Sequence, residues 1–136
     1  MSDSSKSTEM VLEAAAAASS KQAERVVILD VSGLLVITDH FLICSGNTER
    51  QVRSISDEIE RELREDRELK PTRREGGRES RWIVLDFVDF VVHVFHKEER
   101  DYYDLERLWS DAPKIPFEDP WEGTDESTAA EATQAS

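Results

Sequence analysis

Residues 82–96 read Trp-Ile-Val-Leu-Asp-Phe-Val-Asp-Phe-Val-Val-His-Val-Phe-His, two apolar runs, Trp82 to Asp86 and Phe90 to His96, that meet at an aspartate-flanked turn. Short runs rich in valine, isoleucine and aromatic residues, bounded by turn chemistry, are strands. Their near-continuous apolar character, in place of strict alternation, says that both faces of the sheet are covered. Helices must therefore lie on both sides of a mixed sheet, and the fold class is α/β (α+β).

Working outward, the other elements fall into place around that pair. Met10, Val11, Ala14, Ala15 and Ala18 recur at helical spacing, which predicts a helix over residues 8–23. Val26 to Val31 reads as a buried strand stopped by Ser32-Gly33, Leu34 to Ile37 as a short extended segment, and Phe41 to Cys44 as a strand closed by Ser45-Gly46-Asn47. Thr48 and Gln51 have the spacing of a capping box, so a second helix begins there, with Val52, Ile55, Ile59 and Leu63 as its apolar stripe. Pro71 ends it, and residues 70–75 form a polar edge strand before Gly76-Gly77. A last helix is expected over residues 98–109, with Tyr102, Leu105 and Trp109 on one stripe. The sheet should hold about five strands.

A chain of 136 residues supports one core. The domain is expected over residues 8–112, after a disordered N-terminus of residues 1–7. Residues 113–136 form an acidic, Pro-punctuated tail, mostly disordered, with seven acidic residues from Asp111 onward against Lys114 alone. Its first part, Pro113 to Trp121, is apolar enough to dock as an extended segment. No internal repeat is visible.

The formal charge of -13 repels phosphate backbones and favours a basic protein as partner. The lone Cys44 excludes an intramolecular disulfide and fits a reducing cytoplasm. No apolar run is long enough to span a bilayer, so no membrane partner is expected. Both a monomer and a homodimer fit, since a sheet edge or Trp121 would support pairing.

Catalytic readings fail on geometry. A Ser45-Gly46 turn before a helix invites comparison with nucleotidyltransferases, which follow such a turn with paired carboxylates that hold divalent metal. Here the candidate pair is Glu58 and Glu60, which lie about 200° apart around a helix. Asp86 and Asp89 fall on opposite faces of an extended strand unless a tight turn joins them. His93 and His96 also point to opposite sides, His40 is remote, and Cys44 ends an apolar strand as a buried small side chain would. The topology is nucleotidyltransferase-like without its catalytic residues; no enzyme activity, cofactor or metal is expected. Arg64, Arg67, Lys70, Arg73, Arg74, Arg78 and Arg81 form a basic run that would allow a minor RNA contact, but interspersed acids cancel most of it.

Five segments in register carry a resemblance: Asp30-Val31-Ser32-Gly33, residues 38–46 (Thr-Asp-His-Phe-Leu-Ile-Cys-Ser-Gly), residues 82–86, Val92-His93-Val94-Phe95, and residues 100–109 (Arg-Asp-Tyr-Tyr-Asp-Leu-Glu-Arg-Leu-Trp). Together, over residues 10–111, the chain resembles the Iojap family of ribosomal silencing factors. That resemblance implies a protein that binds the large ribosomal subunit through its fourteenth protein, blocks joining of the small subunit and lowers translation when nutrients are short. Three departures stand out. The turn that is usually Gly-Asp in the family is Val88-Asp89 here, and a β-branched residue resists positive φ, so a different turn geometry is expected. Tyr102 stands where phenylalanine is common, and Leu34-Leu35 follows Gly33 where the family shows a serine.

The contact surface expected on this basis is Trp82, Asp86, Asp89, His93, Arg100 and Tyr103. The rings would anchor, since large amphipathic side chains dominate interface energies. The aspartates would receive lysine or arginine. Arg100 would fix the last helix against the strands or reach an acidic group across the interface. Each has a structural competitor: core packing for Trp82 and His93, local turn hydrogen bonding for the aspartates.

Overall fold

The computed structural model describes residues 2–76 and 81–118, the side chains of residues 2–5 excepted. Helix α1 (Ser2–Ser20) leads into β1 (Glu24–Asp30) and β2 (His40–Gly46), then α2 (Glu49–Arg67), β3 (Arg73–Glu75), β4 (Trp82–Asp86), β5 (Phe90–His96), α3 (Lys97–Tyr103), α4 (Leu105–Leu108) and β6 (Lys114–Ile115). The strands form one mixed six-stranded sheet in the order β3-β4-β5-β2-β1-β6. Among the described residues the central β2–β5 pair is parallel and the other pairs are antiparallel. The sixth strand comes from the Pro-punctuated segment, whose Ile115 and Lys114 pair with Ile28 and Leu29. The rest of the acidic tail, from residue 119, lies outside the described residues.

Strand alternation sorts the core into two clusters. Ile28, Leu42, Cys44, Ile83, Leu85, Val92 and Val94 point to one face, where α1 and α2 cover them. Helix α2 presents Val52, Ile55, Ile59 and Leu63, all fully buried, and each contributes about 1.5–3 kcal/mol relative to exposure. The small side chains of Ala14, Ala15 and Ala18, also fully buried, let α1 lie close. Thr48 caps α2 through Gln51 N–H at 3.0 Å, while Gln51 Oε1 reaches back one residue further than a standard box, to Asn47 N–H at 2.7 Å. The helix closes at Glu68, which takes a left-handed conformation (φ 55°).

Helix α1 begins before the expected residue 8. Ser7, placed by sequence in a disordered terminus, is buried with Oγ 2.9 Å from His40 Nδ1, and its hydroxyl also reaches the Asp89 carbonyl. These bonds satisfy polar groups that burial would otherwise leave unpaired.

The other sheet face carries Leu29, Phe41, Ile43 and Phe95, with Trp82, Val91, Leu105 and Trp109 partly buried against them. Helices do lie on both faces, but unequally: here the cover is the short α3–α4 pair. The single last helix expected over residues 98–109 is broken at Asp104, which sits at φ 47°. Aspartate tolerates that region better than most residues, and its carbonyl accepts from Arg107 N–H at 3.1 Å to start α4. Residues 34–37 form no strand. Leu34 and Leu35 N–H both donate to the Val31 carbonyl in a turn, and Val36 and Ile37 stand in solvent.

Candidate interaction face

The half-covered face concentrates most of the expected contact residues. Register brings Trp82 opposite Phe95, Val84 opposite His93 and Asp86 opposite Val91. Trp82 stacks on Phe95 (ring centroids 4.7 Å apart) and meets Tyr103 at 4.6 Å. Its Nε1–H donates to His93 Nδ1 at 3.2 Å. Indole nitrogen is only a donor, so His93 Nδ1 must be unprotonated. Burial supports the same state, holding the imidazole pKa down at about 4. His93 is thus neutral at pH 7 and orients Trp82, while its edge packs against Phe41 at 5.3 Å. Trp82 and His93 are both partly buried.

Tyr103 is 47% exposed and Tyr102 81% exposed, the two rings meeting edge-on at 5.0 Å. Tyr102 therefore does not share a buried stripe with Leu105 and Trp109. On α3 Tyr103 lies against Trp82, three residues after the buried Arg100, while Tyr102 and, on α4, Leu108 stand outward beside an open hollow lined also by Asp101, Asp104 and Arg107. Leu108, 70% exposed, is a surface residue that the sequence pattern concealed; the one signal for it was an aspartate inside an apparent helix.

Arg100, expected at the contact surface, is buried within the fold. It is 1% exposed, and its guanidinium forms two 3.0 Å bonds with Glu106 and a longer one with Ser45 Oγ. Of the two roles foreseen, it performs the internal one, tying α3 to α4 and to β2. The guanidinium in turn holds the Glu106 carboxyl below its usual range.

The aspartates divide. Asp86 Oδ1 accepts from Val88 N–H at 2.9 Å and its carbonyl accepts from Thr72 N–H at 2.7 Å, so it shapes the turn, with Arg73 at 4.0 Å from its second oxygen. Asp89 spends its backbone on the fold and exposes its carboxylate. Between them Val88 takes φ 76°, with Asp89 N–H donating to the Phe87 carbonyl at 2.9 Å. This is the three-residue γ-turn of positive φ. The expected avoidance of positive φ is overturned: Val88 adopts it in a turn closed between Phe87 N–H and the Phe90 carbonyl at 3.0 Å.

The other chemistry-bearing groups are engaged within the fold. Glu58 pairs with Arg61 and Glu60 with Arg74, on separate partners. Cys44 is buried, its thiol pushed up to about 12. His96 Nδ1 caps α3 by accepting from Glu98 N–H. Of the basic run, Arg67 pairs with Glu13, Arg74 with Asp57, and Arg81 with Glu49, Glu98 and Glu99; Arg78 lies outside the described residues. Carboxylate oxygens of Glu13 on α1 and of Glu62 and Asp66, one turn apart on α2, approach within 4.8 Å of one another, with Arg67 paired into the group.

The model of the family described as "Ribosomal silencing factor during starvation" matches residues 4–136. The chain belongs to the ribosomal silencing factor family. A ribosomal silencing factor of Bacillus subtilis is 47% identical over 100 residues, covering 74% of this chain and 84% of the relative. One from Halalkalibacterium halodurans is 44% identical over 110 residues, 81% of this chain and 93% of the relative. The chloroplastic Iojap protein of Arabidopsis thaliana is 32% identical over 119 residues, 86% of this chain but 49% of the plant protein. Among solved structures, one from Bacillus halodurans superposes with a TM-score of 0.71 at 42% identity, covering 81% of this chain and 99% of that one. One from Chromobacterium violaceum gives 0.73 at 29% identity, covering 81% and 90%. Membership of this family makes the role regulatory and associates it with the ribosome. Among the described residues no helix is long and apolar enough to cross a membrane.

Proposed function

We propose that this silencing factor acts in the cytoplasm by binding the large ribosomal subunit through its fourteenth protein, where its bulk keeps the small subunit from joining and represses translation under nutrient limitation. The observation that carries this reading is the half-covered sheet face. Trp82, Tyr103, Tyr102 and Leu108 offer ring and apolar surface there, and Asp86 and Asp89 stand at its margin to meet a basic protein. A compact domain of this length has a radius on the order of 13–15 Å, large enough to hold two subunits apart if it sits near their contact. Blocking by bulk needs shape and charge and no bond-making.

Purified protein added to dissociated subunits should give a stable complex with the large subunit and fewer joined ribosomes on a sucrose gradient. Unchanged joining at saturating protein would overturn the proposal. Retained inhibition with large subunits that lack the fourteenth protein would overturn the choice of partner.

A further inference from the structure

Four exposed apolar side chains gather at one end of the sheet. Leu34 is 48% exposed, Val36 100%, Ile37 80% and Val88 52%. The loop that carries the first three is held at both sides. Leu35 packs into the second core cluster, and Thr38 is buried. Asp39 accepts from Val31 N–H and donates its own N–H to the Asp89 carbonyl, each at 2.9 Å. That last bond ties the β1–β2 loop to the turn that presents Val88. Val36 and Ile37 are therefore displayed by an ordered backbone, which lowers the entropy lost when a partner covers them. A single exposed valine needs no explanation, whereas a grouped set does.

The rim of this patch is acidic. Asp30, Asp39, Asp86 and Asp89 all belong to the two loops or the strand ends beneath them. The Ser32 hydroxyl and N–H hold the Asp30 carboxyl below its usual range, so it stays ionised. Arg73, at 4.0 Å from Asp86, offsets only part of that charge. Carboxylates around an apolar centre repel phosphate backbones and anionic headgroups, and they complement a cationic protein segment.

We infer that the β1–β2 loop and the β4–β5 turn form one contact surface that takes a protein segment carrying lysine or arginine around an apolar centre. It rests on the proposed function and extends it past the aromatic face, around the sheet end, to Leu34, Val36, Ile37 and Val88. The test is a double variant, Val36→Ser with Ile37→Ser, assayed for binding to purified large subunits beside wild type and Tyr103→Ala. Affinity of the double variant should fall at least about tenfold, since fully burying one such side chain accounts for about that factor. Its melting temperature should stay at the wild-type value because both positions are exposed. If the double variant melts early, Val36→Ser alone, at a fully exposed site, replaces it. Wild-type affinity in the double variant, with loss in Tyr103→Ala, overturns this inference and leaves the proposed function standing. No binding by wild type overturns both. A free protein that sediments as a dimer and becomes monomeric in the double variant shows that the patch meets a second copy, which also overturns the inference.

Discussion

Val88→Gly should stabilise this protein, and the size of the gain follows from the turn. Val88 is a β-branched residue held at φ 76°. A non-glycine residue in such a region costs of order 1–3 kcal/mol. Replacement by glycine removes that strain but adds backbone entropy to the unfolded chain, worth roughly 0.5–1 kcal/mol. It also deletes a side chain that is already 52% exposed, a loss below about 1 kcal/mol. The net expectation is a gain of about 0.5–1 kcal/mol. For a domain of this size that is roughly 2–4 °C in melting temperature.

Urea unfolding followed by tryptophan fluorescence measures it directly, because Trp82 reports on the adjoining β4–β5 pair. With an m value near 2 kcal/mol/M the midpoint should rise by roughly 0.3–0.5 M and the slope should not change. Val88→Ala is the control: it sheds the same methyl groups but remains at positive φ, so it should be less stable than Val88→Gly by about 1 kcal/mol. Alanine equal to or more stable than glycine would refute the argument that backbone strain resides here.

Arg100→Met should cost about 3 kcal/mol in chemical unfolding, because it leaves Glu106 without the guanidinium that holds its carboxyl low; a loss under 1 kcal/mol would mean the pair is dispensable. Tyr103→Ala should weaken large-subunit binding by about 2 kcal/mol and barely move the melting temperature, whereas Trp82→Ala should lower both, since Trp82 also packs on Phe95. Cys44 should resist thiol reagents at pH 8 in the folded protein and react once denatured, given a thiol pushed up to about 12; rapid native labelling would contradict its burial. For His93 the folded pKa of about 4 lies below the ordinary 6.5, so its neutral form contributes fully above pH 6.5 and that contribution fades as pH falls toward 4. Discounted for partial exposure, the loss is about 2 kcal/mol; His93→Phe should show a correspondingly shallower acid limb, and an imidazole NMR titration near 6.5 in the wild type would overturn the assignment.

The strands and α2 were legible because their signals are local. Period-2 and period-3.6 patterns and the Thr48–Gln51 cap each depend on a few neighbouring residues, and the hairpin followed from two apolar runs. What the pattern concealed was decided at longer range. Ser7 became helical and buried because His40 and Asp89, far along the chain, offered it partners. Arg100 reads as a surface residue in any window, and only the fold brings Glu106 and Ser45 to it. Residues 34–37 read as a short extended segment from composition, yet the Val31 carbonyl draws two N–H groups into a turn there. Trp82 and His93 admit both a core and a contact reading from sequence, and only the fold makes them partly buried and hydrogen-bonded to each other.

Asp104 determines how the chain covers the second sheet face after α3. In one continuous helix over residues 98–109, Tyr102 would lie over Leu105 and Trp109, and Tyr103, rotated by about 100°, would turn away from the sheet. At φ 47° Asp104 ends α3 one residue after Tyr103 and restarts the chain as α4. Leu105 and Trp109 then cover Phe41 and its neighbours from α4, while Tyr103 settles against Trp82 from α3. Arg100, bonded to Glu106 across the break, fixes the angle between the two segments. In a helix that runs through, as Asp104→Ala would favour, Arg100 and Tyr103 lie on the side opposite Leu105 and Trp109, so one pair must leave the sheet, and the melting temperature should fall although residue 104 itself touches neither ring. The aromatic face thus depends on a helix stop and one buried ion pair.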